Sequence, residues 1–384
     1  MDKVALITLH TGFNSGTFLQ AYAMNELIKE CGYDPLMIWH KSSAIAGRDV
    51  TLSKLFIMFF RLVCHPYAYN KTIGAYVDNF NYDLSEETKK KFLDFSKKYF
   101  DIREYNYVTM HKIARRNDIK GVVCGSDQIW KSDALYISPY YYLRFAPKNK
   151  RIAYAPSFGR DDIPNYNKNI LKKYISDFNF ISVRETSGQN LVKKLTGRDC
   201  DVVLDPTLVV DTSVWEKFVK KENGERYILC YFLDEPSKET IQFIEEIMNC
   251  YKLQVKFLPY VFNSLVNNKN FLIESAGPEE FLNFIANASL VFTDSFHASV
   301  FSILFKIPFF TLERKHKHAS SQNTRIENLL NIFNLRDRYI EDIELIKVDK
   351  ILECNYEQAF LTLEKEKIKS MDYLKNAIRN IDNM

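Results

Sequence analysis

Between Asn287 and Leu312 the chain reads NASLVFTDSFHASVFSILFKIPFFTL, and few folds accept such a stretch. Ser289 to Thr293 is a short apolar run with β-branched and aromatic members, and Asp294 and Ser295 then supply helix N-cap residues. From His297 to Phe305 the apolar residues are too dense for a surface helix, and Ile307 to Leu312 reads as another buried strand. Strand, cap, buried helix and strand make a βαβ crossover in a parallel sheet covered on both faces. Ligands of such sheets sit beyond the carboxyl ends of the strands, where backbone N–H groups at a helix start attract anions. Asp294, Ser295, Phe296 and His297 fall there. A histidine in that place passes a proton near neutral pH, or it merely caps its helix and packs on Phe296.

Elsewhere the same alternation recurs. Strands are expected at Lys3–Leu9, Asp34–Trp39, Ile119–Cys124, Arg151–Ala155 and Phe180–Val183, and a last one over Cys200–Val210 runs into a linker at Asp205-Pro206. The segment 41–105 reads as a helical insertion, with Ser85 opening a helix to Tyr99. A second series follows, with strands at Arg226–Leu233 and Leu253–Leu258, helices at Lys238–Cys250 and Pro278–Asn287, and then the opening stretch. At 384 residues the chain exceeds what one core organises. The expectation is α/β: two Rossmann-like domains with parallel sheets, GT-B-like, with the active site in the interdomain cleft. The first spans 1–205, the second 206–345, and a helical tail, 346–384, packs back on the first.

Composition removes several classes of function. A net charge of +4 argues against nucleic acid as a partner. The seven cysteines are scattered and never spaced C-x-x-C, which reads as reduced thiols in a cytoplasmic protein without a thiolate metal site. The most apolar run outside the strands, Leu55 to Cys64, is far shorter than the ~20 residues of a spanning helix, so a core helix is expected. Its rival is a helix lying in the membrane interface, flanked by Lys54 and Arg61.

The strand ends carry the chemistry. Asn14, Ser15 and Gly16 sit between the first strand and the first helix, where amide N–H groups suit a phosphate. Gly125-Ser126-Asp127-Gln128-Ile129-Trp130 closes one strand, Pro156-Ser157-Phe158-Gly159 another and Arg184-Glu185 a third. Taken with Leu19-Gln20-Ala21-Tyr22, Leu204-Asp205-Pro206-Thr207, Gly277-Pro278 with Glu280-Phe281, Asp294-Ser295-Phe296-His297 and Arg325, they resemble the polysaccharide pyruvyl transferase family over roughly residues 4–340.

That resemblance implies a GT-B-like enzyme moving a pyruvyl group from phosphoenolpyruvate to two hydroxyls of a hexose, with phosphate released and a cyclic ketal left. It also implies an acceptor in a polyprenyl-linked oligosaccharide bound for capsule or exopolysaccharide, and no cofactor beyond the donor itself. By motif position Arg184 and His297 fall at the phosphoenolpyruvate site. In many members an Arg-Leu pair precedes the histidine and in others Ser-Phe, the latter usually with glycine after it; here the run is Ser295-Phe296-His297-Ala298, so Arg325 or the Arg314-Lys315 region would supply the second cation.

A planar, permanently charged fork at Arg184 suits a carboxylate or phosphate, the alternative being an ion pair with Glu185 or another acid. Asp127 is the carboxylate for holding or deprotonating the sugar, or else an N-cap of its turn. Ser126, Ser157, Ser295, Phe296 and Arg325 complete the expected substrate contacts. Trp130 and Tyr140-Tyr141-Tyr142 are candidates for stacking on a sugar. His316 and His318 lie in a basic loop that reads as solvated or lipid-facing, the alternative being a metal pair, for which acids are lacking nearby, so no metal is expected. The competing readings are a sugar-nucleotide glycosyltransferase, for which Glu313 is the available acid, and a non-catalytic sugar-binding protein.

Overall fold

The computed structural model describes residues 2–40, 44–45, 48–49, 52–65, 84–221, 224–260, 268–314, 323–343, 346 and 348–382. Strands follow in chain order: β1 Lys3–Ile7, β2 Asp34–His40, β3 Ala44–Ile45, β4 Arg48–Asp49, β5 Ile102–Tyr105, β6 Ile119–Cys124, β7 Arg151–Ala153, β8 Phe180–Val183 and β9 Asp201–Val202. Then come β10 Tyr227–Tyr231, β11 Gln254–Phe257, β12 Phe271–Ile273, β13 Leu290–Thr293, β14 Phe309–Leu312 and β15 Tyr339–Ile340.

The first sheet has seven strands in the order β5-β2-β1-β6-β7-β8-β9, and the second has six in the order β12-β11-β10-β13-β14-β15. Every pairing in both is parallel. All strand ends of one sheet therefore emerge on one edge, and that is what gathers the site.

The opening crossover is present as expected. β13 and β14 are parallel neighbours with Val291 opposite Phe309, and the Phe296–Leu304 helix between them is buried at every position. Ser295 caps it, its hydroxyl accepting from the amide of Ala298. The Ser15–Glu30 helix starts at Asn14, whose side chain accepts from the Thr17 amide at 3.2 Å.

One apolar cluster joins the layers, running from Leu19 and Tyr22 through Trp215 to Phe281 and Phe301, and on to Leu374 and Ile378 in the Glu357–Asp382 helix. That helix lies against the first sheet: Tyr373 donates to the Ala153 carbonyl and Ser370 accepts from the Leu204 amide.

Four expectations are corrected. The segment 41–105 is not wholly helical, because Ile102–Tyr105 pairs with β2 as the edge strand of the first sheet. The strand expected over Cys200–Val210 stops at Val202; Asp205 instead caps a short Pro206–Val209 helix with proline at its first position, where the missing N–H costs nothing. Leu52–Cys64 is a helix but not a core one, for Phe56, Phe59 and Phe60 are exposed. Trp130 and Tyr142 are core residues, stacked on each other with ring centroids 5.4 Å apart, and the Tyr140 hydroxyl donates to the Ile38 carbonyl at 2.5 Å. A ring in those positions has no face to offer a sugar. Lys315, His316 and His318 lie outside the described residues.

Candidate functional site

The carboxyl ends of β6, β7 and β8 meet the carboxyl ends of β13 and β14 around Asp205. Gly125 makes the first of these turns sharp enough: its φ is 145°, and a Cβ there would fall 1.8 Å from the Tyr154 carbonyl oxygen. Asp127 follows, accepting from Thr17 Oγ1 at 3.2 Å. It stands 3.7 Å from both Arg184 Nη2 and Arg325 Nη1, so it faces cations rather than capping its own turn.

Arg184 leaves the end of β8 and is buried. Nη1 donates to Asp205 Oδ2 at 2.6 Å, while Nε and Nη2 have no hydrogen-bond partner among the described residues, Nε standing 3.6 Å from Glu185 Oε2. Burial works against its charge, but Asp205, Glu185 and Asp127 outweigh that and raise its pKa. The guanidinium carbon sits 4.3 Å from the centre of the Phe296 ring, and that of Arg325 sits 6.0 Å from the same ring. Burial first, and the neighbouring Arg184 next, pull Arg325 down to about 9. Arg314, also buried, donates from Nε to the Asp294 carbonyl at 2.9 Å. Three arginines thus converge beside Asp127, Glu185, Asp205 and Asp294.

His297, in the first turn of the Phe296–Leu304 helix, points its Nε2 at Asp205 Oδ2 across 3.8 Å. That is too long for a hydrogen bond, and Nε2 has no hydrogen-bond partner among the described residues. The ring does pack edge-on against Phe296, at 5.2 Å, as the structural alternative foresaw. Its other side rests on Gly16, where a Cβ would lie 2.1 Å from Nδ1.

Asp205 is the residue that sequence reasoning passed over as a site member, though it stands in the Leu204–Thr207 motif. Its carboxylate accepts from Arg184, from Ser126 Oγ at 3.1 Å and from the Thr207 amide and hydroxyl. Burial opposes its charge, yet His297, Arg184 and Thr207 together hold it far below the usual carboxylate range. Glu185 differs. Burial raises its pKa; Oε1 accepts from Ser157 in a short hydrogen bond, and Oε2 has no hydrogen-bond partner among the described residues.

The expected contact residues are all drawn to this edge, in unequal parts. Arg184, Asp127, His297, Arg325 and Phe296 form its centre. The side chains of Asn14 and Ser295 are helix caps, and Ser126 and Ser157 are braces, the Ser126 hydroxyl shared between the Ala155 carbonyl and Asp205 and the Ser157 hydroxyl donating to Glu185. Ser15 and Gly16 contribute the start of their helix. Glu313, the acid for a bound ribose, is engaged by Asn323 Nδ2 at 3.2 Å. Among the described residues no group of His, Cys, Asp and Glu is suited to hold a metal ion.

A family model described as polysaccharide pyruvyl transferase matches residues 14–316, more than half of the chain. The chain belongs to this family. No curated protein sequence matches it. Among solved structures it is similar to a UDP-GlcNAc 2-epimerase from Methanocaldococcus jannaschii, in complex with UDP-GlcNAc and UDP, at 16% identity and TM-score 0.50, covering 94% of this chain and 98% of that one. It is also similar to UGT89C1 of Arabidopsis thaliana complexed with quercetin, at 10% identity and TM-score 0.48, covering 99% of each. At such identity the likeness to the epimerase concerns the fold alone, two parallel sheets with helices. The residues that gather around Asp205 in this pyruvyl transferase family member come almost entirely from within the matched segment; Arg325 comes from just beyond it.

Proposed function

We propose that this transferase moves a pyruvyl group from phosphoenolpyruvate to two hydroxyls of a hexose, and that the donor lies against Arg184. The supporting observation is the pair of Arg184 donors, Nε and Nη2, buried without hydrogen-bond partners among the described residues, beside a second and a third arginine. A donor carrying a carboxylate and a phosphate would be met by bidentate forks of this kind.

In this reading His297 gives a proton to the methylene carbon of the donor, which becomes the methyl group, and one sugar hydroxyl adds to the neighbouring carbon. The histidine recovers the proton that this hydroxyl loses. The second hydroxyl then adds to the same carbon as its bond to the phosphate oxygen breaks, and its proton leaves with phosphate. Arg184 and Arg325 bind the departing phosphate, Asp127 holds or deprotonates the acceptor, and Ser15 and Gly16 offer amides at a helix start. Asp205 positions both Arg184 and His297. The acceptor is a hexose in a polyprenyl-linked precursor of capsule or exopolysaccharide, met on the cytoplasmic side, and no cofactor beyond the donor is required. Two domains, 1–205 and 206–345, would close on the substrates.

Phosphate release from phosphoenolpyruvate with a panel of lipid-linked hexosides tests this reading. Release that requires the acceptor, falls about 10²–10⁴-fold in His297→Ala, and gives an acceptor mass gain of a ketal is expected. Stabilisation by a sugar nucleotide without phosphate release would overturn it in favour of a glycosyltransferase.

A further inference from the structure

The Leu52–Cys64 helix is amphipathic the wrong way round for a globular protein. A surface helix ordinarily turns its apolar stripe to the core and its charges to water. Here the charged side chains face the protein. Arg61 Nη1 donates to the Leu135 carbonyl and to Asn167 Oδ1, both at 2.7 Å, with its guanidinium over the Tyr166 ring. Lys54 lies over the Tyr136 ring, and His65 packs against Tyr166. The opposite side is bare: Phe56 is 70% exposed, Phe59 68%, Phe60 59% and Val63 62%. With Leu55 these residues recur at helical spacing and make one stripe over a helix ~20 Å long. Exposed patches of this kind mark a partner.

Charge decides which partner. The Asn165–Ser176 helix, which holds the Arg61 contact through Asn167, presents Lys168, Lys172 and Lys173 to solvent. Lys54, Arg61 and these three lysines share two adjacent helices that contain no acidic residue, in a chain whose 52 basic and 48 acidic residues otherwise nearly balance. A second copy docked isologously would bring like charges together. An anionic lipid surface is complementary to both the phenylalanines and the lysines. We propose that the exposed stripe of the Leu52–Cys64 helix inserts into the interface of an anionic bilayer, with the Asn165–Ser176 lysines over its headgroups.

This attachment would bring one rim of the candidate site toward the lipid. The helix is fastened to the segment after the Gly125–Trp130 turn, and on the same rim Asp161 accepts from Thr324, the neighbour of Arg325, at 2.9 Å.

Co-sedimentation of the full chain with phosphatidylcholine vesicles, with and without phosphatidylglycerol, tests the proposal without donor or acceptor, so it stands apart from the transfer reaction. Binding to the anionic vesicles is expected, weakened at least about tenfold in Phe56→Ser/Phe59→Ser/Val63→Ser and again by Lys168→Glu/Lys172→Glu, with Tm unchanged. In Phe59→Trp, tryptophan emission should shift to the blue on adding those vesicles. No sedimentation and no shift would overturn the proposal. So would a dimer, detected by light scattering, that the triple serine variant abolishes while vesicles bind neither protein.

Discussion

His297 leans on Gly16: a methyl group on that α-carbon would fall 2.1 Å from Nδ1, a separation that non-bonded heavy atoms do not sustain. The contact ties the start of the first helix, beside β1, to the start of the helix after β13, so the position of the proposed proton carrier is set by a residue from the other sheet. Gly16→Ala must displace the imidazole from its present position beside Asp205. The expected result is a fall in kcat of about 10²-fold, with Tm lowered by an overpacking cost of about 1–3 kcal/mol. Steady-state phosphate release and thermal denaturation read the two effects separately; unchanged kcat would mean His297 is not where the transfer needs it.

Arg325 is costly to keep. Its guanidinium is lowered to about 9 by burial and by Arg184, so the folded protein holds the charged form at a disadvantage at every pH below that value, and the cost is relieved only as pH rises through it. Arg325→Met should therefore leave the unliganded protein at least as stable as before, since Asp127 and Glu185 keep Arg184 as their cation. The same change should abolish most of the Tm increase caused by phosphoenolpyruvate. A variant that loses stability and keeps the ligand shift would assign Arg325 to structure.

Asp205 sets the acid limit. Its folded pKa is depressed, against the pull of burial, by His297, Arg184 and Thr207. A depressed carboxylate contributes stability that is fully present above its unfolded value of about 3.9 and is lost as pH falls below it. Asp205→Asn, which strands the buried Arg184, is expected to cost about 3–5 kcal/mol at neutral pH. Urea midpoints taken from about pH 6 down to about pH 3 should show the gap between wild type and variant constant above about pH 4 and narrowing below it, as the unfolded carboxyl protonates while the folded one stays charged. Parallel curves would place the stabilising charge elsewhere.

Trp130 is a matter of packing. It is fully buried against Tyr142, Phe158 and Phe178. Trp130→Ala should destabilise by about 3–5 kcal/mol, while the folded fraction keeps the wild-type KM for its acceptor. A raised KM at unchanged stability would restore the sugar-stacking role.

Much of the fold is legible in the chain alone. Ser289–Leu312 could only be strand, cap, buried helix and strand, because its apolar density leaves no wet face and Ser295 stands where a cap belongs. The strand ends that carry Asp127, Arg184 and His297 were legible for the same local reason. Edge strand β5 was not, since four residues with little alternation are indistinguishable from a loop until β2 is beside them.

The sequence by itself determined which residues lie at strand ends and that those ends share an edge, since period and capping are properties of neighbours in the chain. The tertiary structure decided what touches what across 100 residues or more. It alone placed Gly16 under His297, Thr17 against Asp127, and Trp130 in the core. The orientation of Leu52–Cys64 was likewise beyond the sequence. An apolar stripe states only that a helix seeks a nonaqueous surface, and Arg61, held by Leu135 and Asn167, turns that stripe outward.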